Sequence, residues 1–480
     1  MEKLLITSAC FLVSATTFQP TFVVRLPLSV WILSFYSILL LLSKVGRLRL
    51  GTTNILLLFI CIMGCIVGAT NLYDQVFYDT FRSPLDFFFK KTVKAFVYLM
   101  IIVSVSLSVD RLRNYRLFCE FTLRSLIACE LLATAQLAVY SLTGYDIKSA
   151  VYSNPIFSVL GPIGLSDLIF DNKLRVTSWC HEPKGLAVFI FTLIMAKLIS
   201  KENGLSANEG VNKYLRNTLP LSLLIIVQTG SNAILVAPFI IAISLAIYHF
   251  VVDERRNWLI LKRFTKFDKI SFWALSACAV YFLASYVIGE NHFSDLILGS
   301  VGRRTEAFKL QGLTGIDLFL NSIDPEDAAS LLLFGSLSPF SYVFGLGFGG
   351  FANNVLSSSS IYQAIAYSFE SPFVRNGILE VFFIGGFVAV YLLASNYFTI
   401  LGKARTFLNL FKNRMQRGEV PQSPFDFYFL AYHCSLIPVL FIWRYDELFF
   451  ILLFAASNGF VSSALFKKIP NKGILGGISE

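Results

Sequence analysis

The chain has 480 residues, 55% of them apolar and only 15% charged, and its mean hydropathy is +0.67. A water-soluble domain of this size does not carry so little charge, so the composition excludes soluble enzyme classes and indicates a multi-pass membrane protein. The net charge of +10 is the kind of Lys and Arg excess that orients a membrane protein, and no nucleic acid is needed to explain it.

In chain order, Lys3 and the apolar stretch from Leu4 to Phe18 read either as a first helix or as a signal peptide with Val13-Ser14-Ala15 as small cleavage-site residues. Further apolar runs follow at 28–43, 54–70, 93–109, 117–142, 184–200, 218–229, 233–250, 270–288, 376–401, 425–443 and 446–466. Together they predict an all-α polytopic membrane protein of about twelve transmembrane helices. The organisation is then helices one to five over 1–142, a first outer loop over 143–183, and helices six to nine over 184–288. A large outer loop over 289–375 precedes helices ten to twelve and a tail over 376–480.

Alternate loops carry the basic residues: Lys44, Arg47 and Arg49, then Arg111, Arg113 and Arg116, then Lys201, Lys213 and Arg216, and so on to Lys467, Lys468 and Lys472. By the positive-inside rule that set is cytoplasmic, with both termini on the same side. Ser83-Pro84 followed by Phe87 to Lys91 predicts an interfacial helix start, and Asp324-Pro325-Glu326-Asp327 predicts a short surface helix within the large loop. Seven of the eight cysteines fall in apolar runs and only Cys180 sits in a loop, so neither a disulfide framework nor a zinc spacing can be drawn.

The chemistry gathers at the outer ends. Arg175, His181, Glu182 and Lys184 come from the first outer loop, and Arg303, Arg304, Glu306, Lys309, Glu370 and Arg375 from the second. Guanidinium groups suit a pyrophosphate, whose oxygens accept two parallel hydrogen bonds, and Glu182, Glu370 or His181 is the candidate base for an attacking hydroxyl. No DxD pair, HExxH, P-loop or Ser-His-Asp spacing occurs, so no metal ligand or cofactor is expected. Glu120 and Arg124 are spaced as an intrahelical pair. The Gly345 to Phe351 run reads either as a phosphate cradle or as a tight turn, and Gln228 to Asn232 splits one apolar stretch into two helices.

These residues resemble the O-antigen polymerase and ligase superfamily, bacterial enzymes that join lipid-linked oligosaccharides. The likeness rests on Arg175 followed by Ser178, Glu182 and Pro183, on Thr229-Gly230-Ser231-Asn232, on Arg303-Arg304, on the Gly345 to Phe351 run and on Asn376-Gly377, within residues 170–400. It implies a GT-C-like, metal-independent glycosyltransferase in the bacterial inner membrane with a large ordered periplasmic loop. Its donor would be an undecaprenyl-pyrophosphate-linked oligosaccharide held by Arg175, Arg303 and Arg304, with Lys184 and Arg375 alongside. A chain-length regulator protein and membrane lipid are the other candidate partners. The ligase branch has a histidine in the distal part of the large loop; here Glu370 stands near that place and His292 lies at the other end. The likeness therefore favours a polymerase of surface-polysaccharide repeat units. The alternatives are a ligase to another acceptor and a lipid-linked oligosaccharide flippase without covalent chemistry.

Overall fold

A computed structural model of the chain describes residues 2–12, 28–44, 52–72, 83–109, 112–147, 169–170, 173–174, 176–178, 180, 183–203, 210–229, 233–248, 273, 277, 325–358, 374, 376–416, 434, 456 and 459. Among them the fold is mostly helical. The N-terminal half contributes α1 (Glu2–Leu12), α2 (Leu28–Ser43), α3 (Thr52–Thr70), α4 (Pro84–Ser108) and α5 (Leu112–Thr143). A two-residue antiparallel ladder, β1 (Ile169–Phe170) and β2 (Lys173–Leu174), precedes α6 (Pro183–Asn203), α7 (Gly210–Asn217), α8 (Leu219–Gln228) and α9 (Ala233–Ile247). Then come α10 (Pro325–Gly335), α11 (Pro339–Phe344), α12 (Gly350–Ser357) and α13 (Gly377–Gln416).

Among the described residues, three helices are long and apolar enough to cross a membrane: Pro84–Ser108, Asn114–Thr143 and Gly377–Gly402. Val30–Ser43, Asn54–Thr70, Gly185–Ser200 and Leu219–Gln228 are shorter apolar helices. Large apolar side chains such as Phe35, Leu42, Ile66 and Phe387 face outward. Such surfaces suit lipid better than water and suggest a membrane protein.

The predicted start at Ser83-Pro84 is a helix start. Ser83 is extended, Pro84 takes the first helical position where a missing N–H goes unnoticed, and Asp86 lies in the first turn. Beyond the first turn the structure differs from the expectation. With no glycine or proline to interrupt it, the helix runs unbroken into the predicted span at 93–109, so the interfacial start and the span are one helix. Likewise α10 begins at Pro325 as expected, but its buried Ala329 and Leu333 join a core cluster with Phe382 and Phe383 of α13, so it packs on protein.

The helix ends sort into two groups. The Lys44 ammonium pairs with Glu2 at 2.7 Å and reaches the Leu107 carbonyl, while the Asn114 amide donates to the Ser108 carbonyl at 2.8 Å. These contacts gather the starts of α1 and α5 with the ends of α2 and α4. At the opposite end, Asn71 just past α3 donates to the Leu346 carbonyl at 3.0 Å, and Lys91 near the start of α4 meets Glu380 near the start of α13. The helices thus alternate in direction, as short connections between apolar segments require.

The central column is α6. Every residue from Gly185 to Ser200 is buried, the charged Lys197 included, so protein surrounds this stretch on all sides. It packs against α5, α7, α8 and α9. The main core also takes in Leu174, Val176 and Cys180 ahead of α6, and Ile378 and Leu393 of α13 pack against it.

Candidate functional site

The segment leading into α6 carries the most unusual backbone of the described residues. The Val176 N–H donates to the Gln228 carbonyl at the end of α8, at 3.0 Å. The Thr177 and Ser178 N–H groups both donate to the Gln136 side-chain oxygen, at 3.1 and 2.9 Å, and the Gln136 amide donates on to Asp146 at 2.8 Å. The Ser178 hydroxyl donates to the Cys129 carbonyl at 2.8 Å, and the Cys180 N–H closes a turn on the Thr177 carbonyl. Ser178 thus meets α5 twice, through the long Gln136 side chain and through the Cys129 carbonyl. Val176, Thr177, Ser178 and Cys180 are all buried. Irregular backbone in an apolar bundle persists only where each amide has a partner, and Gln136 supplies two of them. Ser178 takes φ 53, a left-handed conformation that a non-glycine residue adopts only when its surroundings hold it there.

The Val176–Gln228 contact joins the segment ahead of α6 to the end of α8. The polar split predicted there is real: α8 ends at Gln228 and α9 starts at Ala233.

Two buried carboxylates lie elsewhere. Glu130 of α5 and Lys197 of α6 are both wholly inaccessible. The Lys197 ammonium lies 2.8 and 2.7 Å from the two Glu130 oxygens, 2.9 Å from the Thr218 carbonyl and 2.7 Å from the Ser222 hydroxyl. The Tyr214 hydroxyl donates to Glu130 Oε2 at 2.6 Å, and Ser222 donates to Oε1. Burial first, and the Glu130 charge second, push the Tyr214 phenol well above its ordinary range. Every polar atom of the pair is used, so the cluster ties α5, α6, α7 and α8 together and offers no room for a reaction.

Glu380 is the second. Lys91 of α4 donates to its Oε1 at 2.7 Å, while its Oε2 is buried without a partner. Glu380 lines a narrow crevice of about 40 Å³ together with Lys91, Phe87, Phe348, Phe351, Val374 and Phe383. The floor is the glycine run. Gly345, Gly347 and Gly349 all have positive φ, and a Cβ at Gly347 would overlap the Gly68 backbone nitrogen. The run docks onto a break in α13, where Gly385 and Gly386 leave helical geometry. There the Leu346 and Gly347 N–H groups donate to the freed carbonyls of Phe383 and Ile384, at 2.6 and 3.2 Å, and Phe348 N–H donates to Gly64 of α3 at 2.9 Å. Of the two readings of this run, the tight turn is the one its geometry fits: the Gly345, Leu346, Gly347, Phe348 and Gly350 amides all donate to protein carbonyls.

Of the predicted site residues, Arg175, His181, Glu182, Arg303, Arg304, Glu370 and Arg375 lie outside the described residues, and Lys184 is described only as the second residue of α6. The expected Glu120–Arg124 pair forms on the exposed side of α5. Sequence reasoning passed over Lys197, Gln136 and Lys91. A lysine inside the apolar run 184–200 was itself the signal, because such a charge must find a partner. Among the described residues no three His, Cys, Asp or Glu side chains cluster as metal ligands would. No protein-family model matches the chain, and no curated protein matches it.

Proposed function

We propose that the protein is a polymerase that joins polyprenyl-pyrophosphate-linked oligosaccharide repeat units at the outer face of a bacterial inner membrane. In this reading the chain crosses the membrane about twelve times in a GT-C-like arrangement, with both termini cytoplasmic. Arg175, Arg303 and Arg304 grip the donor's pyrophosphate, with Lys184 and Arg375 nearby, and a carboxylate or imidazole at the outer ends takes the proton of the acceptor hydroxyl. Glu182, His181 and Glu370 are the loop candidates for that base.

The observation that supports the reading best is the buried set Val176, Thr177, Ser178 and Cys180. The first three donate their amides to α8 or α5 and the Cys180 amide closes on Thr177, and in sequence the set stands between Arg175 and Glu182-Pro183. A transferase needs its anion-binding and proton-accepting groups fixed to within a fraction of an ångström, and these pinned residues are sequence neighbours of candidates of both kinds.

Purified protein supplied with lipid-linked repeat units should make longer glycans and release polyprenyl pyrophosphate. Arg175→Lys and Arg304→Lys should both lose this activity, because an ammonium cannot make the paired hydrogen bonds of a guanidinium. Glycans that never lengthen, or arginine variants that work as well as wild type, would overturn the proposal.

A further inference from the structure

We infer that the narrow crevice between α4, α12 and the start of α13 admits the attacking hydroxyl of the acceptor sugar, and that Glu380 Oε2 accepts its hydrogen bond. The inference rests on the polymerase reading and assigns a residue to a step that reading leaves open.

A buried carboxylate oxygen without a hydrogen bond is costly, and native structures retain one where a ligand or function completes it. Glu380 is 4% exposed, and its Oε2 is such an atom. Its other oxygen is taken by Lys91, which fixes the carboxylate plane between α4 and α13. The backbone around it is unusually rigid: the Asn376 side chain caps α13 by accepting from the Ile378 and Leu379 N–H groups, at 3.0 and 3.1 Å, and the glycine run is clamped to the α13 break below. The walls are aromatic, with Phe87, Phe348, Phe351 and Phe383. One acceptor oxygen in a crevice of about 40 Å³ suits a single hydroxyl, which donates to the carboxylate while the rest of the sugar stays at the crevice mouth.

In the reaction the acceptor hydroxyl passes its proton to Glu380 Oε2, and the oxygen forms the new bond to the donor's anomeric carbon. The bond from that carbon to the pyrophosphate oxygen breaks, and polyprenyl pyrophosphate leaves with the electron pair. The carboxyl proton then returns to solvent.

The test uses the full-length protein in detergent micelles with lipid-linked repeat units as donor and acceptor. Glu380→Gln keeps the shape and removes the proton acceptor, so elongation should fall by about a hundredfold or more while lipid-linked donor still binds. Should Glu380→Gln elongate at the wild-type rate while Arg175→Lys does not, the assignment of Glu380 is wrong and the polymerase reading stands. If wild type itself never elongates, both fall. A second measurement does not depend on that variant folding: Phe87→Trp sets an indole on the crevice wall, and titration with lipid-free repeat-unit oligosaccharide should shift its emission relative to wild type. An unchanged spectrum at saturating sugar would overturn the binding site.

Discussion

Glu130 and Glu380 are both buried glutamates paired with a lysine from another helix, yet they differ in one respect that decides their roles. Around Glu130 both oxygens and the ammonium are fully partnered, and neither side chain reaches solvent. At Glu380 one oxygen has no partner, the lysine is partly exposed, and a crevice opens beside them. A saturated ion pair in an apolar bundle is a fastening; an unsaturated one beside a crevice is a place for a ligand.

The largest effect should come from breaking the fastening. Lys197→Met leaves Glu130 charged and alone in the core, a loss of about 3–5 kcal/mol, read as a lower unfolding midpoint in detergent. Replacing both, with Glu130→Leu and Lys197→Met, should recover much of it, since two apolar residues leave no orphan charge. Next is Gly347→Ala, which forces a side chain into a positive-φ position against Gly68. The conformational strain alone is roughly 1–3 kcal/mol. Gly402→Ala in α13 meets nothing within 4 Å and should instead stabilise slightly, making it the matched control.

Gln136→Leu should cost about 1–3 kcal/mol by leaving the Thr177 and Ser178 amides without an acceptor, and those amides should then exchange hydrogen faster. The last effect, at Tyr214, is set apart by its pH dependence. Its phenol is held above its ordinary range in the fold, so the folded chain keeps a proton that the unfolded chain releases above about pH 10. Its contribution is therefore whole at neutral pH and declines as the solution becomes more alkaline, and Tyr214→Phe should remove that alkaline decline from a melting-temperature series.

Several of these features were legible in the residues. Ser83-Pro84, Pro325 and the polar break after Gln228 each carry a local stereochemical reason to start or stop a helix, and each does so. For the glycine run the residues leave a phosphate cradle and a tight turn both open, and its docking partner is silent: Gly385 and Gly386 read as ordinary residues of an apolar helix until the run is laid against the freed Phe383 and Ile384 carbonyls. Gln136 and Lys197 were equally silent about their partners, because pairing across 42 and 67 positions depends on packing that no local pattern encodes. The Glu380–Lys91 pairing, across 289 positions, is likewise a property of the assembled fold alone.

The contrast between the two glutamates can be put to one side-by-side measurement: unfolding midpoint and elongation rate per folded molecule for Glu130→Gln and Glu380→Gln. The account predicts that Glu130→Gln melts at markedly lower temperature yet elongates normally per folded molecule, while Glu380→Gln keeps its midpoint and loses elongation. The opposite pattern, with catalysis lost at Glu130 and only stability lost at Glu380, would contradict it.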